Sequence, residues 1–345
     1  MAGPTGTARP AADDVEEEHE AAPLLRTQLG KQTSTSSVPF ANKALAVASW
    51  FALNIAIASV NKWVISVEHF EYPALLTVVH MACSYALSTL CLATCLPPSK
   101  PTAPSAETLR KVRTLSLTFC GSVFCGNLAL KYVWVSFQQM VTAASPLMTL
   151  LLAKLLTDKA FSRLAHVSML PMCGGVMLCV LGELRALSAD RSFSWLGLGL
   201  IVASTALRGV KSIMQGALLT SDDDRLDALT LLRHMSRYSV GLLALYALVT
   251  GEAHALAADA RVQRARVAAT VLASGAIAFL LNVCNFLVTK YTSAVTLQVL
   301  GNVKVVISIG VSLLIFRNPL SPWSALGCAT TLGGVWLYEQ GSRGS

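Results

Sequence analysis

Charge is scarce in this sequence. Asp, Glu, Lys and Arg together make up 13% of its 345 residues, whereas a water-soluble domain carries roughly 25% to cover its surface. The shortage excludes an ordinary soluble domain and makes lipid the solvent for most of the chain. A hydrophobic share of 54% and a mean hydropathy of +0.57 agree. Metal and redox motifs are missing too. The nine cysteines, Cys83, Cys91, Cys95, Cys120, Cys125, Cys173, Cys179, Cys284 and Cys328, fall in or beside apolar stretches, without CxxC or Cys/His spacing. They read as small apolar residues packing between helices. With no paired carboxylates and no activated nucleophile in evidence, the sequence predicts no enzyme, and no cofactor or metal is expected. Acids are scarce inside the apolar runs, because Asp158, Glu183 and Asp227 all lie near predicted span ends. Proton-coupled carriers keep a buried carboxylate, so this acid-poor interior points to exchange of one anion for another. The net charge of +8 would suit a nucleic-acid binder only if the Lys and Arg were gathered on one aqueous face. They sit instead in short gaps between apolar runs, so no nucleic-acid partner is expected.

Those runs are the dominant feature. Residues 1–40 are rich in Ala, Pro, Ser, Thr and Gly, with an acidic cluster from Asp13 to Glu20, and cannot bury enough apolar surface to fold. They are expected to form a disordered cytosolic tail, in which "EAAPLL" at 20–25 matches the loose acidic-dileucine pattern. Beyond the tail, a helix needs about 20 residues to cross the hydrocarbon core. The predicted spans are 44–66, 73–96, 114–133, 135–157, 164–182, 194–219, 228–250, 267–289, 292–316 and 322–339. An even number puts both termini on one side of the bilayer. Arg26, Lys31 and Lys43, then Lys100, Arg110, Lys111 and Arg113, then Lys154, Lys159 and Arg163 make that side cytosolic by the positive-inside rule. The acidic "SDDDRLD" at 221–227 and the group Arg261, Arg264 and Arg266 run against the rule, so the first half carries the assignment.

Sliding the sequence against itself by 159 residues aligns Lys131-Tyr132 with Lys290-Tyr291, Gln139 with Gln298 and Ser162 with Ser321. In the same register Gly174, Gly175, Val176 and Leu178 meet Gly333, Gly334, Val335 and Leu337. Non-apolar matches in one ungapped register indicate a duplicated unit. Five helices per copy is an odd number, so the copies must enter the bilayer in opposite directions. The expected fold is an all-α membrane protein of ten transmembrane helices in two inverted repeats, at 41–182 and 183–345. Such folds bind substrate near the midplane, between the halves.

A charge inside the membrane is costly unless it meets water, substrate or a partner. Lys304 lies near the middle of the ninth span, about 15 Å from either end at helical rise, beyond easy snorkelling. Ser204, Arg208, Lys211 and Gln215 follow one another at spacings of four, three and four, along one stripe of the sixth span. Asn54 and Asn61 share a face of the first span, with Lys62 near its end. The fourth span offers Gln138, Gln139, Thr142 and Ser145, and the eighth Asn282, Asn285 and Thr289, close to Tyr291. Amide and hydroxyl stripes of this kind commonly serve as interhelical hydrogen bonds, and Asn302 points roughly opposite Lys304 on an ideal helix. A basic cavity rich in hydroxyls and amides suits phosphate at one end and sugar or base hydroxyls at the other.

Several stretches resemble the triose-phosphate and nucleotide-sugar translocator family of the drug/metabolite transporter superfamily: "SVNKWVIS", "GNLALKYVWVSFQQMVTAASPL", "STALRGVKSIMQGALLTSDDDRLDALTLLRHM", "NFLVTKYTSAVTLQVLGNVKVV" and "IFRNPLSPW". The likeness covers residues 44–340 and is nearest to the E-type members of solute carrier family 35 and to plant endomembrane translocators. It implies ten helices, cytosolic termini, and strict exchange of a nucleotide sugar or sugar phosphate against a nucleoside monophosphate or phosphate. By this resemblance Lys304 matches the family's substrate-phosphate lysine. Plastid members look like Lys-Arg where this chain has Lys304-Val305, and have His and Lys where it has Gln139 and Thr142. Those departures fit the nucleotide-sugar subgroup of Golgi or endoplasmic reticulum membranes. The expected substrate site therefore comprises Lys304, Arg208, Lys211, Asn61, Lys62, Gln139, Thr142, Gln215, Tyr291, Gln298 and Asn302. The leading expectation is exchange of a UDP-sugar for the monophosphate, beside a sugar-phosphate/phosphate exchanger and a non-transporting scaffold. The lipid bilayer is the one obligatory partner, and a homodimer is left open.

Overall fold

Each apolar run read from the sequence contains a helix in a computed structural model of the chain, though the bounds differ. The structure describes residues 39–94, 104–133, 138, 141–157, 161–184, 194–220, 225–259, 265–316 and 322–343. The tail with its dileucine pattern, Gln139, Asp158, the side chain of Glu183, and loop residues including Lys100, Lys159, Arg261 and Arg264 lie outside the described residues. Among the described residues there are eleven helices and no strand: α1 (Phe40–Ser66), α2 (Pro73–Thr94), α3 (Ala106–Ala129), α4 (Ser145–Leu156), α5 (Arg163–Leu184), α6 (Trp195–Thr220), α7 (Ala228–Val249), α8 (Glu252–Ala258), α9 (Ala265–Tyr291), α10 (Ala294–Phe316) and α11 (Pro322–Arg343). Leu155, Leu170, Trp195 and Trp336 are exposed on helix surfaces, as side chains facing lipid must be.

By length and hydropathy, four of the described helices can cross a bilayer, namely α1, α2, α6 and α9, and α7 with α8 makes a fifth if that bent pair is one span. The bounds of individual predicted spans also need amendment. α3 starts at Ala106 rather than 114, because Ser105 caps it by accepting from the Thr108 amide at 3.0 Å, and Glu107 suits the positive end of the helix dipole. Glu107 also pairs with Lys111 one turn on, at 3.3 Å. α4 is only 12 residues long, because Pro146 sits in its first turn, where the missing N–H costs nothing, and a turn at 143–144 interrupts the chain before it.

The short α8 went unforeseen. Gly251, at φ 81°, turns the chain through the left-handed region, and α8 leaves α7 at 75°. Glu252, just beyond, accepts from the Ala74 and Leu75 amides at 2.9 and 3.1 Å. It thereby satisfies the open N-terminus of α2. One consequence is directional, since the end of α7 meets the start of α2 and these two packed helices run antiparallel.

α5 and α11 form another extensive antiparallel pair. Ser162 at the start of α5 donates to the Gly341 carbonyl at the end of α11, at 2.8 Å. Halfway along, a Cβ on Gly175 would come within 2.5 Å of the Thr331 amide, and one on Gly334 within 2.5 Å of the Met172 amide. Those two contacts interchange under the 159-residue shift. The Asn302 amide donates to the Ala143 carbonyl at 2.9 Å, and these residues are themselves 159 apart. Small residues bring helix backbones together where lipid offers no hydrophobic drive to association. α1 runs antiparallel to α9, fastened at one end by Glu68 and Arg266 at 3.0 Å.

Candidate anion-binding site

Four helices, α1, α6, α9 and α10, bring three cations into one region. α10 supplies Lys304, whose Nζ lies 3.2 Å from Asn54 Oδ1 and 6.0 Å from the ring centroid of Trp50, both on α1. The Asn54 amide is aimed by its own Nδ2, which donates to the Trp50 carbonyl one turn back at 2.8 Å. Trp50 is fixed in an apolar cluster with Ala46, Val288 and Leu297, and Tyr291 packs against that cluster.

α6 supplies Arg208 and Lys211. Lys211 Nζ donates to Gln215 Oε1 and lies 5.5 Å from the ring centroid of Phe286 on α9. Gln215 is fully buried and passes the chain of hydrogen bonds on, donating to Thr289 Oγ1 at 2.7 Å and to Asn285 Oδ1 at 3.2 Å. It orients Lys211 from behind, with no free surface of its own for substrate. Arg208 keeps accessible surface although protein surrounds it on nearly every side. Its charge lies close enough to repel both Lys211 and Lys304. Among the described residues no carboxylate pairs with any of the three, the salt bridges there being Lys111 with Glu107 and Arg266 with Glu68. Three like charges gathered on neighbouring helices, with no carboxylate partner among the described residues, are unfavourable unless an anion joins them.

The remaining candidates scatter. Gln298 donates to Ser212 Oγ at 2.9 Å, one turn from Arg208, and stays half-buried beside the cations. Thr142 lies in the interrupted stretch before α4, its carbonyl accepting from Ser145 Oγ. Asn302 is buried and committed to the Ala143 carbonyl that this interruption frees. Asn61 accepts from Ser274 Oγ at 2.9 Å, and Ser274 meets His80 Nε2 at 2.6 Å, two helical turns along α1 from Asn54. Lys62 is exposed on α1. Trp50, Phe286 and Ser212 were absent from the sequence reading, since an aromatic in an apolar run carries no mark of a cation above its face. Asn54 had been noticed but not chosen.

Residues 41–339 match the Triose-phosphate Transporter family. A protein of Arabidopsis thaliana named "Probable sugar phosphate/phosphate translocator" is 38% identical, over 86% of this chain and 94% of its own. UDP-uronic acid transporter 1 of the same plant is 34% identical, over 86% of this chain and 94% of its own. Human solute carrier family 35 member E4 is 37% identical, over 87% of this chain and 80% of its own. A crystal structure at 18% identity covers 94% of this chain and 98% of its own with a TM-score of 0.59, a likeness of fold alone.

Proposed function

We propose, from the premise that this chain belongs to the Triose-phosphate Transporter family, that it exchanges a UDP-sugar for a nucleoside monophosphate across an endomembrane such as the Golgi. Its membership and relatives make it a membrane translocator of the sugar-phosphate or nucleotide-sugar type, and not an enzyme. The observation that carries the finer reading is the group Lys304, Arg208 and Lys211, which has no carboxylate partner among the described residues. A diphosphate would bridge charges contributed by α10 and α6, with Arg208 gripping two oxygens at once and the lysines acting as point charges. Thr142, Gln298 and Gln139 would line the path for the sugar or base.

Obligatory exchange follows from the same electrostatics. An empty site holding three like charges is costly to carry through the occluded state, and a loaded one is not. Alternating access is supported by the antiparallel pairs α2 with α7 and α5 with α11, which join matching members of two five-helix units. The interchanging contacts of Gly175 and Gly334 support units at 41–182 and 183–345 related by a two-fold axis in the membrane plane. The basic loops of the first half support cytosolic termini.

The name of the sugar phosphate/phosphate translocator relative favours a second reading, exchange of a sugar phosphate for inorganic phosphate. Purified protein in liposomes preloaded with UMP or with phosphate separates the two. Uptake of labelled UDP-sugar into UMP-loaded vesicles alone is expected. Uptake of a labelled sugar phosphate into phosphate-loaded vesicles alone would replace the first reading by the second.

A further inference from the structure

Lys304 is held by α1 in a way that an anion can undo. Its ammonium has a neutral amide oxygen at 3.2 Å and an aromatic face at 6.0 Å. Both stabilise a cation, and neither neutralises one. A phosphate oxygen carries charge, and hydrogen bonds between charged partners are roughly twice as strong as neutral ones. The apparatus around the ammonium is prearranged. Asn54 is aimed by its bond to the Trp50 carbonyl, and the Trp50 ring is clamped by Ala46, Val288 and Leu297. Trp50 also keeps its indole Nε1 buried without a hydrogen-bond partner. A Phe would avoid that cost and still offer a ring face, so the hold on Lys304 needs the face and not the indole N–H. Elsewhere α1 packs along α9, and a further contact with α10 is the apolar one of Leu297 and Leu300 against the Trp50 cluster.

We propose that Asn54 and Trp50 are positioning residues that hold Lys304 while the site is empty, and that the substrate phosphate draws Lys304 off them, unfastening α1 from α10. The proposal rests on Lys304 as the phosphate lysine. Loading then releases the contact between the two helices, and an empty carrier stays fastened in one conformation. Asn54 and Trp50 thus join the charge group as residues that couple reorientation to cargo.

The test uses the full chain in liposomes and compares uptake of labelled UMP, and in parallel labelled phosphate, into empty vesicles and into vesicles holding the same anion. The unaltered protein is expected to fill only loaded vesicles. Asn54→Leu is expected to raise uptake into empty vesicles several-fold at unchanged melting temperature. Trp50→Leu is expected to raise it likewise with a lowered melting temperature, because it leaves a cavity in the apolar cluster, while Trp50→Phe, which keeps a ring face, restores the original ratio of empty to loaded uptake. Asn54→Asp places a fixed carboxylate at the ammonium and is expected to weaken anion affinity. If both Leu variants keep the original ratio of empty to loaded uptake, the proposal is overturned. Hydrogen exchange of the unaltered protein is a second reading that needs no variant: added UMP or phosphate is expected to raise amide exchange in α1 around residues 50–61, and no rise there overturns it. Absence of any exchange by the unaltered protein removes the phosphate role of Lys304, and this proposal with it.

Discussion

A cation on a helix is legible in sequence; what it touches is not. Lys304, Arg208 and Lys211 were recognisable because Lys and Arg in a lipid-soluble run need a reason. The partners Trp50 and Asn54 of Lys304 and Phe286 of Lys211 are sequence-distant and chemically ordinary for membrane helices. Lys304→Ala is expected to reduce exchange by about 100-fold or more, the cost of truncating one member of a desolvated charge pair, with the protein still inserted and folded. Normal transport by that variant would take Lys304 out of the site. Arg208→Lys keeps the charge but loses the planar fork, and a KM raised by about tenfold is expected, equivalent to about 1.4 kcal/mol. Gln215→Leu strips Lys211 of its acceptor inside the bundle, at about 1–3 kcal/mol of stability, so a lower melting temperature should accompany a higher KM. Lys62→Ala serves as the contrast. This lysine was a sequence candidate, yet it is exposed and has no contact with the three cations, and unchanged exchange kinetics are expected of its variant.

At the scale of the helix, periodicity and length found the elements because a backbone in lipid must satisfy its own hydrogen bonds. Their ends were less legible. Ser105 as a cap moves the start of α3 outward, and Pro146 moves the start of α4 inward. The Gly-Gly-Val repeat announced a glycine with a purpose, which the pairing of α5 and α11 explains. Gly175→Val would drive a side chain into the Thr331 backbone. Overpacking costs about 1–3 kcal/mol in ordinary cores, so loss of at least about 2 kcal/mol is expected where backbone rather than a mobile side chain is struck. A thermal melt of the purified variant checks it, and an unchanged midpoint would mean that the helices separate there freely. α8 could not be foreseen, because its anchor Glu252 meets amides 178 and 177 residues away in the chain.

For the whole molecule, topology is the proposition most open to direct measurement. If the two units are inverted with cytosolic termini, Glu107 at the start of α3 and His254 on α8, both exposed, face opposite sides of the membrane. In a cysteine-free background, Glu107→Cys should react with an impermeant thiol reagent applied from the cytosolic side, and His254→Cys only after permeabilisation. Labelling of both from one side would contradict the inversion. Taken by itself, the sequence determined that the chain lives in lipid and where most of its helices lie, and it raised the expectation of a repeat around a basic interior. Each of these follows from local composition or from a fixed register, because the bilayer imposes the same length and polarity rules on every span. Which cations converge, and which candidate amides are already committed to neighbouring helices, was decided only by tertiary structure. A side chain's partner depends on how helices far apart in the chain rotate and approach, and one helix alone cannot encode the face that its neighbour presents.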